Sequence, residues 1–163
     1  MTTIDTAKVQ GRRKLHFERL EDIVADVDQL AQAKEVKHLG NWSSGQVLKH
    51  LAIVMTNSLD GFHIKPPWYF RCMFVFMRPF MKNKALRDPM SAGFKMPSFA
   101  AEMIPPSTTW AEGLAAIRQA LHRLQTEPQR APSPFMGNLT SEQWTQLHCR
   151  HSELHLSFLV PQE

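Results

Sequence analysis

The chain has 163 residues, of which 43% are hydrophobic, and this is enough to bury a core within one domain spanning residues 1–163. Its amino-terminal residues contain no apolar stretch typical of a signal peptide, and no apolar run is long enough to cross a bilayer. The net charge is only +4, and no nucleic-acid-reading motif is present. We therefore expect a cytoplasmic protein whose partners include neither a nucleic acid nor a membrane.

The two cysteines, Cys72 and Cys149, lie far apart in the sequence. They form neither a CxxC nor a CxxxC pair, so the sequence does not favour a disulfide framework or a zinc site built from thiolates. We interpret both as reduced thiols.

Four segments have the periodicity of amphipathic helices. The first runs from about Glu18 to Ala33. Each of the other three begins with a capping box, in which a Ser or Thr N-cap is followed three residues later by Gln or Glu. These pairs are Ser43 with Gln46, Thr109 with Glu112, and Thr140 with Gln143. Strand signals are poor, so the predicted fold is all-α, an antiparallel four-helix bundle.

The connection between the second and third helices, Gly61 to Thr108, is too long to be an ordinary loop. Its first half, Trp68 to Asn83, is rich in aromatic residues and Met and is expected to stop near Pro79. A helix on a membrane surface is one interpretation. A short helix packed over one end of the bundle, followed by a structured loop, is the commoner arrangement. We therefore predict a long, partly helical connection, of a kind that often covers a site.

Histidines lie within the apolar faces of two predicted helices. His148, His151 and His155 share an arc of roughly 60° on the fourth helix, between apolar side chains. His50 lies in the same way on the second helix. Burying such imidazoles without partners would cost about 1–3 kcal/mol each. A shared cation removes this cost, because neutral imidazole is a good ligand and His at i and i+4 can approach one ion.

The metal interpretation has an alternative, since a lone core histidine is more often hydrogen-bonded to a carbonyl or a carboxylate. His148, one turn before His151, is interpreted as a partner that supports the ligands or as a residue near the bundle's end, and less readily as a fourth ligand. Asn57, two turns after His50, is a candidate for orienting substrate or metal-bound water, or for capping a buried carbonyl. No residue is identified as a general base, so the catalytic residues are unknown.

The order and spacing of these residues resemble the DinB/YfiT-like superfamily of small metal-binding helical bundles. The resemblance rests on His50-Leu51 after Trp42, on the late His151-x-x-x-His155, and on two flanking motifs, Arg13 to Phe17 and Gly137 to Thr140. It spans nearly the whole chain, is weakest in the middle segment, and matches an uncharacterised branch best.

This resemblance implies an antiparallel four-helix bundle that holds one divalent ion through three histidines, which are His50, His151 and His155. Characterised relatives include thiol S-transferases that use bacterial low-molecular-weight thiols and mycothiol-dependent isomerases. Histidine nitrogens without a carboxylate favour zinc or nickel. The leading hypothesis is a metal-dependent enzyme of the thiol S-transferase type, in which the ion activates a thiol that reacts with a small molecule.

Three further interpretations stay open. Arg71 and Arg78 are candidates for holding carboxylates of such a thiol, although solvated arginines are the default. The competing functions are a non-catalytic, metal-stabilised binding protein and a metal-free bundle with hydrogen-bonded core histidines. The apolar segment Trp68 to Met81 would be the recognition surface of a binding protein, and it also makes a homodimer plausible.

Overall fold

The computed structural model describes residues 3–64, 66–94 and 96–162, and these residues are mostly helical. The α-helices are α1 (Leu20–Gln32), α2 (Ser44–Asp60), α3 (Trp68–Arg87), α4 (Trp110–Thr126) and α5 (Ser141–Leu156). Two short strands, β1 (Glu35–His38) and β2 (Leu159–Gln162), follow α1 and α5. Short 3₁₀ segments occupy Thr6–Lys8 and Ser98–Met103.

The three predicted capping boxes are confirmed. The backbone N–H of Gln46 donates to Ser43 Oγ over 3.2 Å, and the Gln46 side chain accepts from the Ser43 N–H over 3.0 Å. The same reciprocal bonds join the other two pairs at the starts of α4 and α5. Each box satisfies backbone donors that the first turn of a helix leaves unpaired, so the local sequence determines where these helices begin.

The hydrophobic core lies among α1, α2, α4 and α5. In this group α2 packs against α4 and α5, and α1 packs against the same two helices. The approach of α2 to α4 is close because two glycines meet: a Cβ added to Gly113 would lie 2.5 Å from the carbonyl oxygen of Gly45. The fully buried core side chains include Leu48, Leu51, Ile117, Leu121 and Leu156. α5, which carries the histidine-rich stretch, therefore has its apolar face against this core.

The chain is mostly helical, as predicted, but it also contains a small two-stranded sheet that the sequence did not predict. β1 pairs with β2 in antiparallel register, with Glu35 opposite Gln162 and His38 opposite Leu159. Each strand has only four residues, which is too short to show an alternation of polar and apolar residues. The two strands come together because α1 and α5 deliver distant parts of the chain to the same place.

The structure also corrects the predicted end of the helix near Pro79. α3 has 20 residues and continues beyond Pro79 to Arg87. A proline inside a helix costs about 3 kcal/mol, and this cost is offset here by packing: Phe70 lies 5.2 Å from Phe99 between ring centroids, and Phe74 lies 5.2 Å from Phe135. No helix within the described ranges, α3 included, is long and apolar enough to span a membrane.

Buried polar groups attach the segment before α1 to the rest of the molecule. Arg13 donates two hydrogen bonds to the carboxylate of Asp26 on α1, over 2.6 and 2.8 Å. On α5, Glu153 accepts a hydrogen bond from the Phe17 N–H over 2.6 Å and pairs with Arg150 at 2.7 Å. The motif from Arg13 to Phe17 therefore has a structural role, which is to hold α5 in place beside the amino-terminal segment.

Candidate metal centre

Three of the candidate residues converge where α2 meets α5. One ring nitrogen from each of His50, His151 and His155 lies within 4.8 Å of the other two. The ring centroid of His155 lies 4.6 Å from the ring centroid of each of the other two histidines, and the three rings are inclined to one another by 59° to 79°. The three rings are therefore inclined to one another around the small volume in which their nitrogens meet.

The long connection orients the first of these rings. Nδ1 of His50 lies 2.7 Å from the carbonyl oxygen of Met103, in the 3₁₀ segment that precedes α4. Because a carbonyl only accepts, Nδ1 carries the proton and Nε2 keeps its lone pair. Proteins commonly orient a metal-binding histidine through such a hydrogen bond to its other nitrogen.

One spacing among the three nitrogens matches that of two ligands on one ion. Nε2 of His50 lies 3.3 Å from Nε2 of His151. Two nitrogens bound tetrahedrally at Zn–N distances of about 2.0–2.1 Å are about 3.4 Å apart. The donor set also fits, since imidazole nitrogen suits zinc and nickel. The metal-free alternative for the same spacing is a hydrogen bond in which His151 donates to the lone pair of His50.

The surroundings keep the imidazoles neutral. His50 is only 1% exposed, whereas His151 and His155 are half-buried. Burial lowers the pKa of His50. Burial, followed by the charges of the neighbouring histidines, holds the pKa of His151 and His155 well below the ordinary value, and Arg12 adds to this effect at His155. Neutral imidazole is the form that binds metal.

An indole covers one side of the cluster. Trp42, in the residues just before α2, stacks on His155 with ring centroids 5.7 Å apart and planes inclined by 14°. The same indole lies 4.8 Å from the His50 ring. Because these contacts leave the two rings little room to turn, Trp42 helps to keep their nitrogens directed at the shared point.

A half-buried cation lies at the edge of the cluster. Arg12 donates to Ser157 Oγ from Nε over 3.0 Å and from Nη2 over 2.8 Å, and its guanidinium stands 4.2 Å above the Phe158 ring. Within the described part of the chain, no carboxylate oxygen lies within 4.0 Å of it. Its charge acts on His155, so it would attract an anion that approaches this side of the cluster.

The structure gives His148 a different environment. Its Nε2 lies 2.9 Å from Ser58 Oγ, and the Ser58 hydroxyl donates to the carbonyl of Met55 over 2.6 Å. His148 is thus the donor to Ser58, and it also stacks on Trp144 with centroids 5.3 Å apart. Burial lowers the pKa of His148 to about 3. This histidine is a hydrogen-bonded core residue one turn away from the cluster.

Two other candidates lie away from the three histidines. Asn57 lines a groove between α2 and α4 together with Gln119 and Arg123, and seven residues of helix separate it from His50 by roughly 10 Å. The guanidinium of Arg78 packs against Gly137. The side chain of Arg71 lies outside the described residues.

Sequence reasoning missed three contributors to the cluster: the carbonyl of Met103, the charge of Arg12, and the stacking role of Trp42. A backbone carbonyl leaves no signal in a sequence. Arg12 lies in the basic run Arg12-Arg13-Lys14, which indicates nothing more than an anionic partner. The position of Trp42 just before the N-cap Ser43 is a usable signal, because a residue there lies beside the first turns of α2.

The comparisons with known proteins identify the family. The chain belongs to the family described as "Protein of unknown function (DUF1569)", whose sequence profile matches residues 9–162. Neither a curated protein nor a solved structure matches the chain.

Proposed function

We propose that this member of the DUF1569 family binds one divalent transition-metal ion through His50, His151 and His155 and uses it in a reaction on a small molecule. The observation that carries the proposal is the 3.3 Å separation between Nε2 of His50 and Nε2 of His151. The lone pair on His50 is secured by the hydrogen bond from Nδ1 to Met103. Zinc and nickel suit a donor set made only of imidazoles.

Three ligands would leave the ion at least one open coordination position. An ion held in this way would lower the pKa of a thiol or a water molecule that occupies the open position. The residues of this chain then supply access and charge. The side chains of His151 and His155 are partly exposed, which leaves the cluster accessible to a small molecule, and Arg12 attracts an anionic group to the same side. We propose a low-molecular-weight thiol as the anionic partner, in a reaction of the thiol S-transferase type.

The proposed fold is an antiparallel four-helix bundle of the DinB/YfiT-like kind, formed by α1, α2, α4 and α5. Its support is the packing pattern, since each of these four helices contacts two of the others. In this arrangement residues 61–108 are the long connection between the second and third helices of the bundle. Its residue Met103 accepts the hydrogen bond that orients His50. We also propose a cytoplasmic location, which is supported by the two cysteines, both of them free thiols.

Elemental analysis of the purified, untagged protein tests the metal site. The parent protein should contain about one equivalent of a transition metal after reconstitution with zinc or nickel, and a His50→Ala/His151→Ala variant should contain none. His122→Ala is a matched control, because His122 is exposed on α4 and lies outside the cluster. No metal in the reconstituted parent would mean that the three rings are held by hydrogen bonds alone.

The thiol is tested separately on the cobalt-substituted protein. Adding low-molecular-weight thiols should change the visible spectrum of the cobalt, since a thiolate would occupy the open position. Arg12→Met should weaken this response while the cobalt content stays the same. A spectrum that no thiol changes would favour a metal-stabilised binding protein over the enzyme.

A further inference from the structure

α3 exposes an apolar stripe to solvent. Tyr69, Met73, Phe76 and Phe80 follow the spacing i, i+4, i+7, i+11 and so lie on one side of the helix, which we call the α3 face. Phe76 is 82% exposed and Phe80 is 80% exposed. Trp68, at the start of the helix, is 76% exposed. A contiguous apolar surface of this kind is typical of a docking site.

The exposure of this face does not come from a detached helix. The opposite side of α3 is buried, since Phe74 contacts Phe135 and the neighbouring Phe70 contacts Phe99. α3 also packs against α5. The helix is therefore held on the body of the protein with its second apolar side turned outward, where it contributes nothing to the core.

The charge of α3 identifies the kind of partner. Between Trp68 and Arg87 the helix contains five Lys or Arg residues and no Asp or Glu, whereas the whole chain has a net charge of only +4. The rest of the protein is thus close to neutral. Two of these cations, Lys84 and Arg87, are exposed and continue the line of the α3 face toward its carboxyl end.

We propose that the α3 face docks on the surface of an anionic lipid bilayer. Aromatic side chains such as Trp68 and Tyr69 are favoured at the boundary between headgroups and acyl chains, where Phe76 and Phe80 would bury their rings. Lys84 and Arg87 would lie among anionic headgroups, and such contacts attract a protein in proportion to the number of cations.

The same charges disfavour a second copy of the chain as the occupant. A twofold contact through α3 would bring two strongly basic helices together with no acidic residue on either to neutralise them. A bilayer that contains anionic lipid supplies the missing charge. This inference replaces the expectation that the protein has no membrane partner, and it does not depend on the proposed metal site.

Vesicle co-sedimentation of the full chain tests the proposal. The protein should bind vesicles of phosphatidylcholine mixed with phosphatidylglycerol, bind pure phosphatidylcholine much more weakly, and be released by salt. Phe76→Ser/Phe80→Ser should reduce binding by about 100-fold, because it removes the rings that enter the bilayer. Lys84→Glu/Arg87→Glu should reduce binding by about tenfold or more.

Lys14→Glu/Lys37→Glu is the matched control, since it makes the same charge change at exposed positions outside α3. This control should bind almost as well as the parent. Equal binding by the control, the parent and the two α3 variants would overturn the proposal, and so would a failure of the parent to bind anionic vesicles. A dimer in analytical ultracentrifugation that Phe76→Ser/Phe80→Ser dissociates would assign the face to a second copy instead.

Discussion

His148 and His151 lie on neighbouring turns of α5, yet their ring nitrogens have different partners. Nε2 of His148 donates to Ser58 Oγ, which passes the hydrogen bond on to a backbone carbonyl. Nε2 of His151 meets another imidazole, Nε2 of His50, at 3.3 Å. The first ring has a hydroxyl partner that is itself bonded to the backbone, whereas the second faces an imidazole nitrogen whose lone pair can bind an ion or accept a proton from His151.

This difference shows that the burial of a histidine does not by itself indicate a metal site. His148 is the more buried of the two rings, but its nitrogen is already paired and has no need of an ion. The cluster of His50, His151 and His155 instead brings one ring nitrogen from each of three imidazoles within 4.8 Å of one another. The chemistry of the facing group, rather than depth in the core, separates the two environments.

The largest expected effect is on metal affinity. His155→Ala should weaken zinc binding by about 1000-fold or more, because it removes one of the three proposed ligands. His148→Gln should leave the affinity within about threefold, since His148 is not a ligand and Gln keeps a donor for Ser58. Competition with a chromogenic chelator measures both affinities. Similar losses in the two variants would mean that His148 belongs to the ligand set.

The second expected effect is on the stability of the fold, and here the loss of His148 should matter more than the loss of His155. In the metal-free protein, His148→Ala should lower the free energy of unfolding by about 2–4 kcal/mol, because it leaves a cavity beside Trp144 and removes the partner of Ser58. His155→Ala should cost about 1 kcal/mol or less, since its side chain is less buried than that of His148. Urea denaturation in the presence of EDTA compares them. An equal loss of stability would show that the two environments do not differ.

The smallest expected effect is on the pH dependence of stability. The pKa of His148 is about 3 in the folded protein and 6.5 in the absence of structure. As the pH falls through this window the unfolded chain takes up a proton that folded His148 does not, so the free energy of unfolding decreases. Between about pH 6.5 and pH 4 this one group should account for a loss of about 2–3 kcal/mol.

The check is a series of urea denaturation curves of the metal-free protein across this pH range. His148→Gln should lose less stability than the parent over the same interval, because Gln does not titrate. The remaining loss in that variant reports the other groups whose pKa values are lowered, which are the histidines of the cluster and, near pH 4, carboxyls such as Asp60 and Glu127. The prediction fails if parent and variant lose stability in parallel.

Much of the helical framework was predictable from the sequence, since capping boxes such as Ser43 with Gln46 act over three residues and appear in the structure as predicted. The end of α3 was not predictable, because the penalty for Pro79 is local while the packing that offsets it comes from Phe99 and Phe135. The pairing of β1 with β2 was missed for a related reason. Each strand is too short for a pattern, and its partner is at the other end of the chain.

The residues of the candidate site also divide into those that the sequence predicted and those that it did not. The spacing of His151 and His155 predicted that both would share a face of α5, and the structure brings them together with His50. Asn57 lies on the same side of α2 as His50 by periodicity, but the rise along the helix carries it away to a groove with α4. The carbonyl of Met103 and the charge of Arg12 come from segments whose positions depend on the whole fold.

The sequence by itself determined where α2, α4 and α5 begin and which side chains share a face, because the geometry of an α-helix is the same in every protein. The tertiary structure decided which faces meet. Only the packing of α2 against α5 sets the 3.3 Å between two Nε2 atoms and gives His148 the hydroxyl of Ser58. Only the packing of α3 decides which of its two apolar sides is buried and which stays exposed, since both sides satisfy the same helical pattern.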